Sequence, residues 1–428
     1  RQGGVPGLSH ACQPNVLEVG RARFTLPLRG QPFTRRAAML IYIHVPFCRR
    51  RCLYCAFHSS AIGKTPIPSS YLPALLREIR WWAYRLGSNG SNTVSTIFFG
   101  GGTPSLLSPE AVGSILDTIS RLFRVTGNAE VTLEGNPESL NRPGAMRGFR
   151  DAGVTRLSVG VQSMISSELK TLGRIHSPKD VMQTFEEAHR IGFQSLSADL
   201  MWGLPGQTGQ SWMETLESTM RLEPDHISAY GLSLEEDAPF LSMFRDGCFT
   251  LPGEEEQRNM YLGAIGFLEK HGFSQYEISN FARFGHTCRH NCGYWQGQDF
   301  LGMGPSAVST IGGKRWTDAE DFGVWLENTS KGLLGGSPEV LSPLDRILEL
   351  IMLRLRTVCG LSYQEYTFRT GRVFRKDYGE YLKALTEQGL ITLGDTGCRL
   401  TREGMLVSNA ILSGFFDRAG RIFGEARD

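Results

Sequence analysis

No stretch of this sequence stays apolar for the roughly 18 residues that a membrane-crossing helix needs, so a helical span is excluded and a soluble chain is expected. An excess of one charge is missing as well. Lys and Arg number 45 against 43 Asp and Glu, a formal net charge of +2, which gives no electrostatic reason to expect nucleic acid or an anionic surface as partner. Cysteine is too sparse for a disulfide framework, nine in 428 residues, and the grouping of three of them points to metal ligation in a reducing compartment. Internal repeats and low-complexity tracts are absent too. What is there is the composition of an ordinary globular protein, 41% hydrophobic and 21% charged with 50 glycines. Its length suits one large domain and one or two smaller ones.

Residues 1–38 stand apart. They hold six Arg and one Glu and show neither helical nor strand periodicity. A transit peptide, a disordered tail and translated sequence upstream of a start at Met39 all fit that composition. Met39 directly precedes the first strand-like run, so the segment is expected to be a disordered, non-core extension ahead of the true start. A cytoplasmic protein follows from that reading, and a mitochondrial-matrix protein from the transit-peptide one.

From Met39 onward, short β-type runs alternate with amphipathic helical stretches, the pattern of a parallel α/β sheet. The runs are Ile41–Val45, Val94–Phe99, Glu130–Leu133, Arg156–Val159, Ser195–Leu200 and His226–Tyr230. Between them Tyr71–Leu86, Pro109–Phe123 and Ser177–Ile191 carry the i, i+3, i+4 apolar spacing of helices. Each strand is followed at once by Gly-rich or polar residues: the cysteine loop, Gly100–Pro104, Glu134–Pro137, Gly160–Ser163, Asp199 with Gly203–Gly206, and Tyr230–Leu232. Any one of these could be a plain turn. Six at the carboxyl edge of one sheet, where ligands bind in such folds, predict a shared site. Further on, Glu254–His271 reads as a helix, Gln275–Asn280 as a strand and Cys288–Pro305 as a loop. From about Ser342, helices at Pro343–Thr357, Phe374–Gln388 and Thr401–Phe415 flank a hairpin at Gly394–Gly397, which suggests a winged-helix-like module.

Cys48, Cys52 and Cys55 offer three thiolates spaced x3 then x2. A zinc site wants four ligands, and no second Cys-x2-Cys arm follows. A cubane cluster on three thiolates leaves one iron open to a substrate's amine and carboxylate. Arg49, Arg50 and Arg51 would add positive charge that favours the thiolates.

Cys-x3-Cys-x2-Cys directly after a first strand resembles the radical S-adenosylmethionine (SAM) superfamily. Tyr42–Cys48, Phe99–Ser105, Glu134–Pro137, Gly160–Ser163 and Asp199–Gly206, in this order, look like its coproporphyrinogen-dehydrogenase-like branch, which includes the HemW-type haem chaperones. The resemblance implies a 4Fe-4S cluster on the three cysteines, with SAM bound by residues at the strand ends. Gly101, Gly102 and Thr103 would let the backbone approach the methionine part. Glu134 and Gln162 would meet polar groups, Arg174 the methionine carboxylate and Asp199 the ribose, with Tyr42 near the nucleotide. One electron from the cluster would then cleave the sulfonium to methionine and a 5′-deoxyadenosyl radical.

Two features bear on the member of the branch. Decarboxylating relatives usually carry another Cys two residues after the third ligand, and Phe57 stands there. His290-Asn291-Cys292-Gly293-Tyr294-Trp295 resembles the His-Asn-x-x-Tyr-Trp segment of HemW-type proteins, with His290 a candidate haem ligand and Cys288 and His286 as neighbours. The expectation is a HemW-type haem chaperone that takes electrons from a reducing donor and passes haem to a haem-requiring recipient, with transient contact where that recipient is a membrane protein. An oxygen-independent coproporphyrinogen III dehydrogenase and a tetrapyrrole methyltransferase are the alternatives. The expected architecture is α/β: a partial (β/α)6 TIM-like barrel at 39–272, a barrel-closing segment with the haem-binding loop at 273–341, and a helical, winged-helix-like module at 342–428.

Overall fold

A computed structural model describes residues 17–19, 22–24, 38–87 and 93–424. Leu17–Val19 and Ala22–Phe24 form a short antiparallel ladder, where the sequence showed no strand pattern. The remainder of the proposed disordered extension, except Ala38, lies outside the described residues.

Six strands, β1 (Met39–Val45), β2 (Thr93–Gly101), β3 (Arg124–Gly135), β4 (Arg156–Gln162), β5 (Ser195–Trp202) and β6 (His226–Gly231), pair in parallel and in chain order. Their helices are α1 (Tyr71–Gly87), α2 (Pro109–Leu122), α3 (Ala145–Asp151), α4 (Pro178–Ile191), α5 (Gly209–Met220) and α6 (Glu254–Lys270). Apart from residues 124–130 at the start of β3 and the last two residues of β6, the strands are largely buried on both faces, as a helix-covered parallel sheet requires; in β1 only Tyr42 keeps partial exposure. The helices begin where the sequence caps them. Ser108 accepts from the Ala111 N–H ahead of Pro109, and Ser177 and Asp180 form a capping box before α4.

β1 does not pair with β6, so the barrel is open. β7 (Ser274–Gln275) and β8 (Asn280–Ala282) extend the β6 edge antiparallel, where a single strand at 275–280 was expected. The predicted loop 288–305 contains a seven-residue helix, α7 (Arg289–Trp295), and β9 (Phe300–Met303), which lies parallel to β1. β10 (Val308–Ile311), β11 (Lys314–Thr317) and β12 (Glu339–Val340) complete a 12-stranded sheet.

Helix α7 seats against the amino-terminal half of the barrel. Glu130 of β3 accepts from the Arg289 and His290 amides at 3.0 Å each, and Arg156, first residue of β4, donates to the His286 carbonyl at 3.0 Å. Another strut packs α8 (Phe322–Lys331) on α1. The buried Glu78 carboxylate accepts from the Gly304 amide at 2.9 Å and the Trp325 indole at 3.0 Å. Beyond α9 (Pro343–Leu355), Leu361–Ser362, Ile391–Leu393 and Gly397–Leu400 form a three-stranded sheet flanked by helices, with the hairpin where it was expected. The final helical stretch breaks into Arg402–Leu406 and Ser408–Phe423.

Candidate functional site

The cysteine loop leaves β1 at the carboxyl edge of the sheet and is held there on both sides. Phe47–Cys48 pairs with Ser60–Ala61, and the Leu53 amide donates to the Leu172 carbonyl. Thr103 Oγ1 donates to Cys48 Sγ at 3.5 Å and accepts from Asn136 Nδ2 at 3.3 Å. Asn136 Oδ1 in turn receives Arg174 Nη2, whose Nη1 lies 3.5 Å from Cys52 Sγ. A continuous polar chain thus runs from one thiol to the next, Cys48–Thr103–Asn136–Arg174–Cys52. Burial, and after it the neighbouring thiols among smaller effects, raises Cys48 and Cys55 above the ordinary thiol range. The arginines of the loop do not offset this. Arg49 turns to the Gly63 and Thr65 carbonyls and Arg51 to those of Asp237 and Cys55; the Arg51 charge lowers Cys55, as the Arg run was expected to do, but burial outweighs it. Among the described residues no set of three His, Cys, Asp or Glu side chains is gathered to hold a single metal ion.

The glycines of the β2 loop are required by the protein itself. Gly101 has φ +106°, and a Cβ there would stand 2.5 Å from the His44 ring. At Gly102 it would meet the Phe47 carbonyl oxygen at 2.7 Å. Close approach of a ligand, the reason expected from sequence, is not needed to explain them.

Deeper in the mouth sit two carboxyl groups. Burial, then the neighbouring Asp199 charge, pushes Glu134 up to about 8, opposed by a bond from the Gly101 amide. Asp199 is raised by burial and held down by the hydroxyls of Ser158, Ser197 and Ser228 at 2.8–3.0 Å. Both carboxyls keep partial exposure, as groups lining a cleft do. Tyr42 lies beside them, its hydroxyl 3.1 Å from His44 Nδ1. Gln162 ends β4 with φ +65°, a strained conformation for a side-chain-bearing residue. Arg174, expected on a ligand carboxylate, already gives Nη2 to Asn136 and to the Gly160 carbonyl at 2.8 Å.

Below Asp199 the barrel interior carries a second chain. Ser197 Oγ donates to Asp199 at 3.0 Å and so accepts from His226 Nδ1 at 2.8 Å. That fixes the His226 proton on Nδ1, leaving Nε2 to accept from Tyr276 at 2.9 Å; the Tyr276 oxygen accepts from Asn291 Nδ2 at 3.2 Å. Every donor points toward Asp199, and the last link lies on α7.

His290 is not at the mouth. It is 2% exposed, with Nδ1 2.7 Å from Thr96 Oγ1 and its ring between Phe98 and Tyr294 at 5.0 and 4.8 Å. Its Nε2 has no hydrogen-bond partner among the described residues, and burial lowers its pKa to about 3. The sequence reading missed Asn136, although it lies in a quoted motif. It also missed the three serines around Asp199, and it gave no role to Tyr230, quoted there as a strand end, which stands 46% exposed near that carboxylate.

Residues 42–219 match the family model for the radical SAM superfamily, and residues 341–407 match that for the HemN C-terminal domain. The Bacillus subtilis protein named heme chaperone HemW is 34% identical over 376 residues, covering 87% of this chain and 98% of its own length. The chain belongs to the radical SAM superfamily, in the HemW family. A bovine relative named radical S-adenosyl methionine domain-containing protein 1, mitochondrial, is 35% identical over 92% of this radical SAM chain and 90% of its own. The fold agrees with solved coproporphyrinogen III oxidase (HemN) from Escherichia coli, with TM-score 0.73 and 23% identity over 89% of this chain and 90% of that one. Membership in the superfamily implies a 4Fe-4S cluster and SAM. No helix among the described residues is long and apolar enough to cross a membrane.

Proposed function

We propose that this chain is a haem chaperone, holding a 4Fe-4S cluster on Cys48, Cys52 and Cys55 and SAM at the strand ends, and delivering haem to a recipient protein. The observation that carries the proposal is similarity along nearly the whole length of a protein named for that role. Phe57, 70% exposed beside the cysteine loop where decarboxylating relatives usually place a cysteine, supports the carrier over the dehydrogenase.

The residues present fit the cofactors. Three thiols stand on one loop within electrostatic reach of one another, and two of them, Cys48 and Cys52, are tied through Thr103, Asn136 and Arg174. When bound, the cluster and nucleotide supply one-electron reductive chemistry at a sulfonium. The chain's own residues do the rest. Gly101 and Gly102 hold the β2 loop against β1, Asn136 aligns the Arg174 guanidinium, and the three serines keep Asp199 oriented to accept hydroxyl donors. Glu134 is neutral at pH 7 and can donate a hydrogen bond. Helix α7 closes the floor, so water and solutes enter from the carboxyl edge.

His290 enters the proposal with a condition set by its burial: iron reaches its free Nε2 only if α7 leaves its seat. Anaerobic titration of haem into the reconstituted wild type and His290→Ala, followed in the Soret band, tests both points. Saturable binding by the wild type is expected, and its absence overturns the chaperone. Loss of the binding in His290→Ala assigns the ligand; unchanged binding returns His290 to packing. The relatives include bacterial proteins and vertebrate ones named mitochondrial, and import of residues 1–38 fused to a reporter into isolated mitochondria distinguishes matrix from cytoplasm.

A further inference from the structure

Beside the cysteine loop lies a second concavity of about 370 Å3, lined by loop and helix residues rather than by the inward faces of the strands. Its walls include Arg49 and Arg50, which follow Cys48, together with Lys64, Arg142, Ile175 and Glu138. The one acid of the lining, Glu138, has its Oε2 3.6 Å from His176 Nδ1. Among the described residues none of the four cations pairs with a carboxylate. Arg49 is fixed by the Gly63 and Thr65 carbonyls, and Arg142 by those of Ser105, Leu107 and Ser139. These neutral acceptors hold the guanidiniums in place and leave their charge uncompensated. Burial, and then the nearby Arg49 charge, lowers the pKa of Arg142, so like charges are crowded here. Ile175 adds an apolar side chain that is 52% exposed.

We propose that this basic face is the docking surface for an acidic one-electron carrier protein that reduces the cluster. The inference rests on the cluster assignment above and is independent of haem. Three separate chain segments supply uncompensated positive charge around an exposed apolar side chain, the anatomy of a small, transient, electrostatically steered interface. A single small anion would need fewer cations and no apolar neighbour. A partner seated on Arg49 and Arg50 is adjacent in the chain to Cys48. One electron leaves the carrier and arrives at the cluster, and no bond forms or breaks.

The test uses the reconstituted full chain and an Arg50→Glu/Lys64→Glu variant, both substituted side chains being exposed and, among the described residues, without a hydrogen-bond partner. Reduced plant-type ferredoxin, an acidic one-electron carrier, is mixed with each protein, and loss of the iron–sulfur absorbance is timed at low and high salt. Reduced viologen, a small cation, is the control reductant, and ferredoxin binding is measured alongside by titration. The ferredoxin rate and affinity are expected to fall about tenfold or more in the variant, and in the wild type at high salt, while the viologen rate stays within about twofold. Equal ferredoxin rates in the two proteins overturn the proposal. So does saturable binding of inorganic phosphate at this face with no effect of the variant on ferredoxin. A chain that takes up no cluster shows no iron–sulfur absorbance before any reductant is added and overturns both assignments. A failed haem titration with a normally reducible cluster overturns the chaperone alone.

Discussion

Replacing Glu78 with Gln should flatten the pH dependence of stability. Glu78 is fully buried, and burial, followed by Asp318, raises its pKa well above the ordinary range; Asp318 is itself raised to about 6, chiefly by burial. Glu78 Oε1 and Asp318 Oδ2 have no partner other than each other, so the pair needs a proton, and Glu78, the more strongly raised, keeps it. Below the ordinary carboxylate pKa, Glu78 is protonated folded and unfolded alike, and the pair costs nothing. As pH rises above that value the unfolded chain loses the proton and the folded one keeps it. Stability therefore falls by about 1.4 kcal/mol per pH unit until the folded pKa is passed. The loss runs over the whole interval between the ordinary carboxylate pKa and the raised folded one. In Glu78→Gln the amide oxygen can accept from Gly304 and Trp325 while its NH2 donates to Asp318, and this loss disappears. Urea unfolding of both proteins at a series of pH values, followed by the fluorescence of Trp82, Trp316 and Trp325, should show a stability gap that widens as pH rises above the ordinary carboxylate range. Parallel pH profiles would show that Glu78 is ionised in the fold and refute the reasoning.

Gly102→Ala should take up less than about half the wild-type iron on reconstitution, because the new methyl group must displace the Phe47 backbone 2.7 Å away; full loading would refute this. Asn136→Ala should keep its iron but bind SAM about tenfold more weakly in equilibrium dialysis, the effect of losing one charge-assisted hydrogen bond that aligns Arg174. SAM affinity should tighten above pH 8, as Glu134 with its pKa of about 8 ionises beside a cationic ligand. The step should vanish in Glu134→Gln, and a flat wild-type profile would count against it.

The six parallel strands were legible because each is a compact apolar run ended by glycine or a polar residue, and the cysteine spacing named its own chemistry. Segment 288–305 was not. A seven-residue helix containing His, Asn, Cys, Gly, Tyr and Trp has no amphipathic repeat to detect, and its seat on the barrel floor depends on Glu130, Thr96 and Arg156, far away in sequence. The four residues of β9 become a strand by pairing with β1 on one side and β10 on the other, which local pattern cannot reveal. Asn136 was hidden in plain view: before Pro137 it reads as a helix cap, and only the fold brings it to Arg174. Ser158, Ser197 and Ser228 look like interruptions of apolar strands until the register lays them around one carboxylate.

The column from Asn291 through Tyr276, His226 and Ser197 to Asp199 has a polarity, and that makes His226 a gauge. Its imidazole touches neither the cysteine loop nor Glu134 among its hydrogen-bond partners, yet its tautomer is dictated by the charge at the column's upper end. Burial keeps the ring neutral far below the usual histidine range. Nitrogen chemical shifts of this one side chain, read after isotopic enrichment, therefore record whether Asp199 carries its charge, with no probe placed in the site. Lifting α7 from the floor would remove the Asn291 donor from the other end and write a different entry on the same dial.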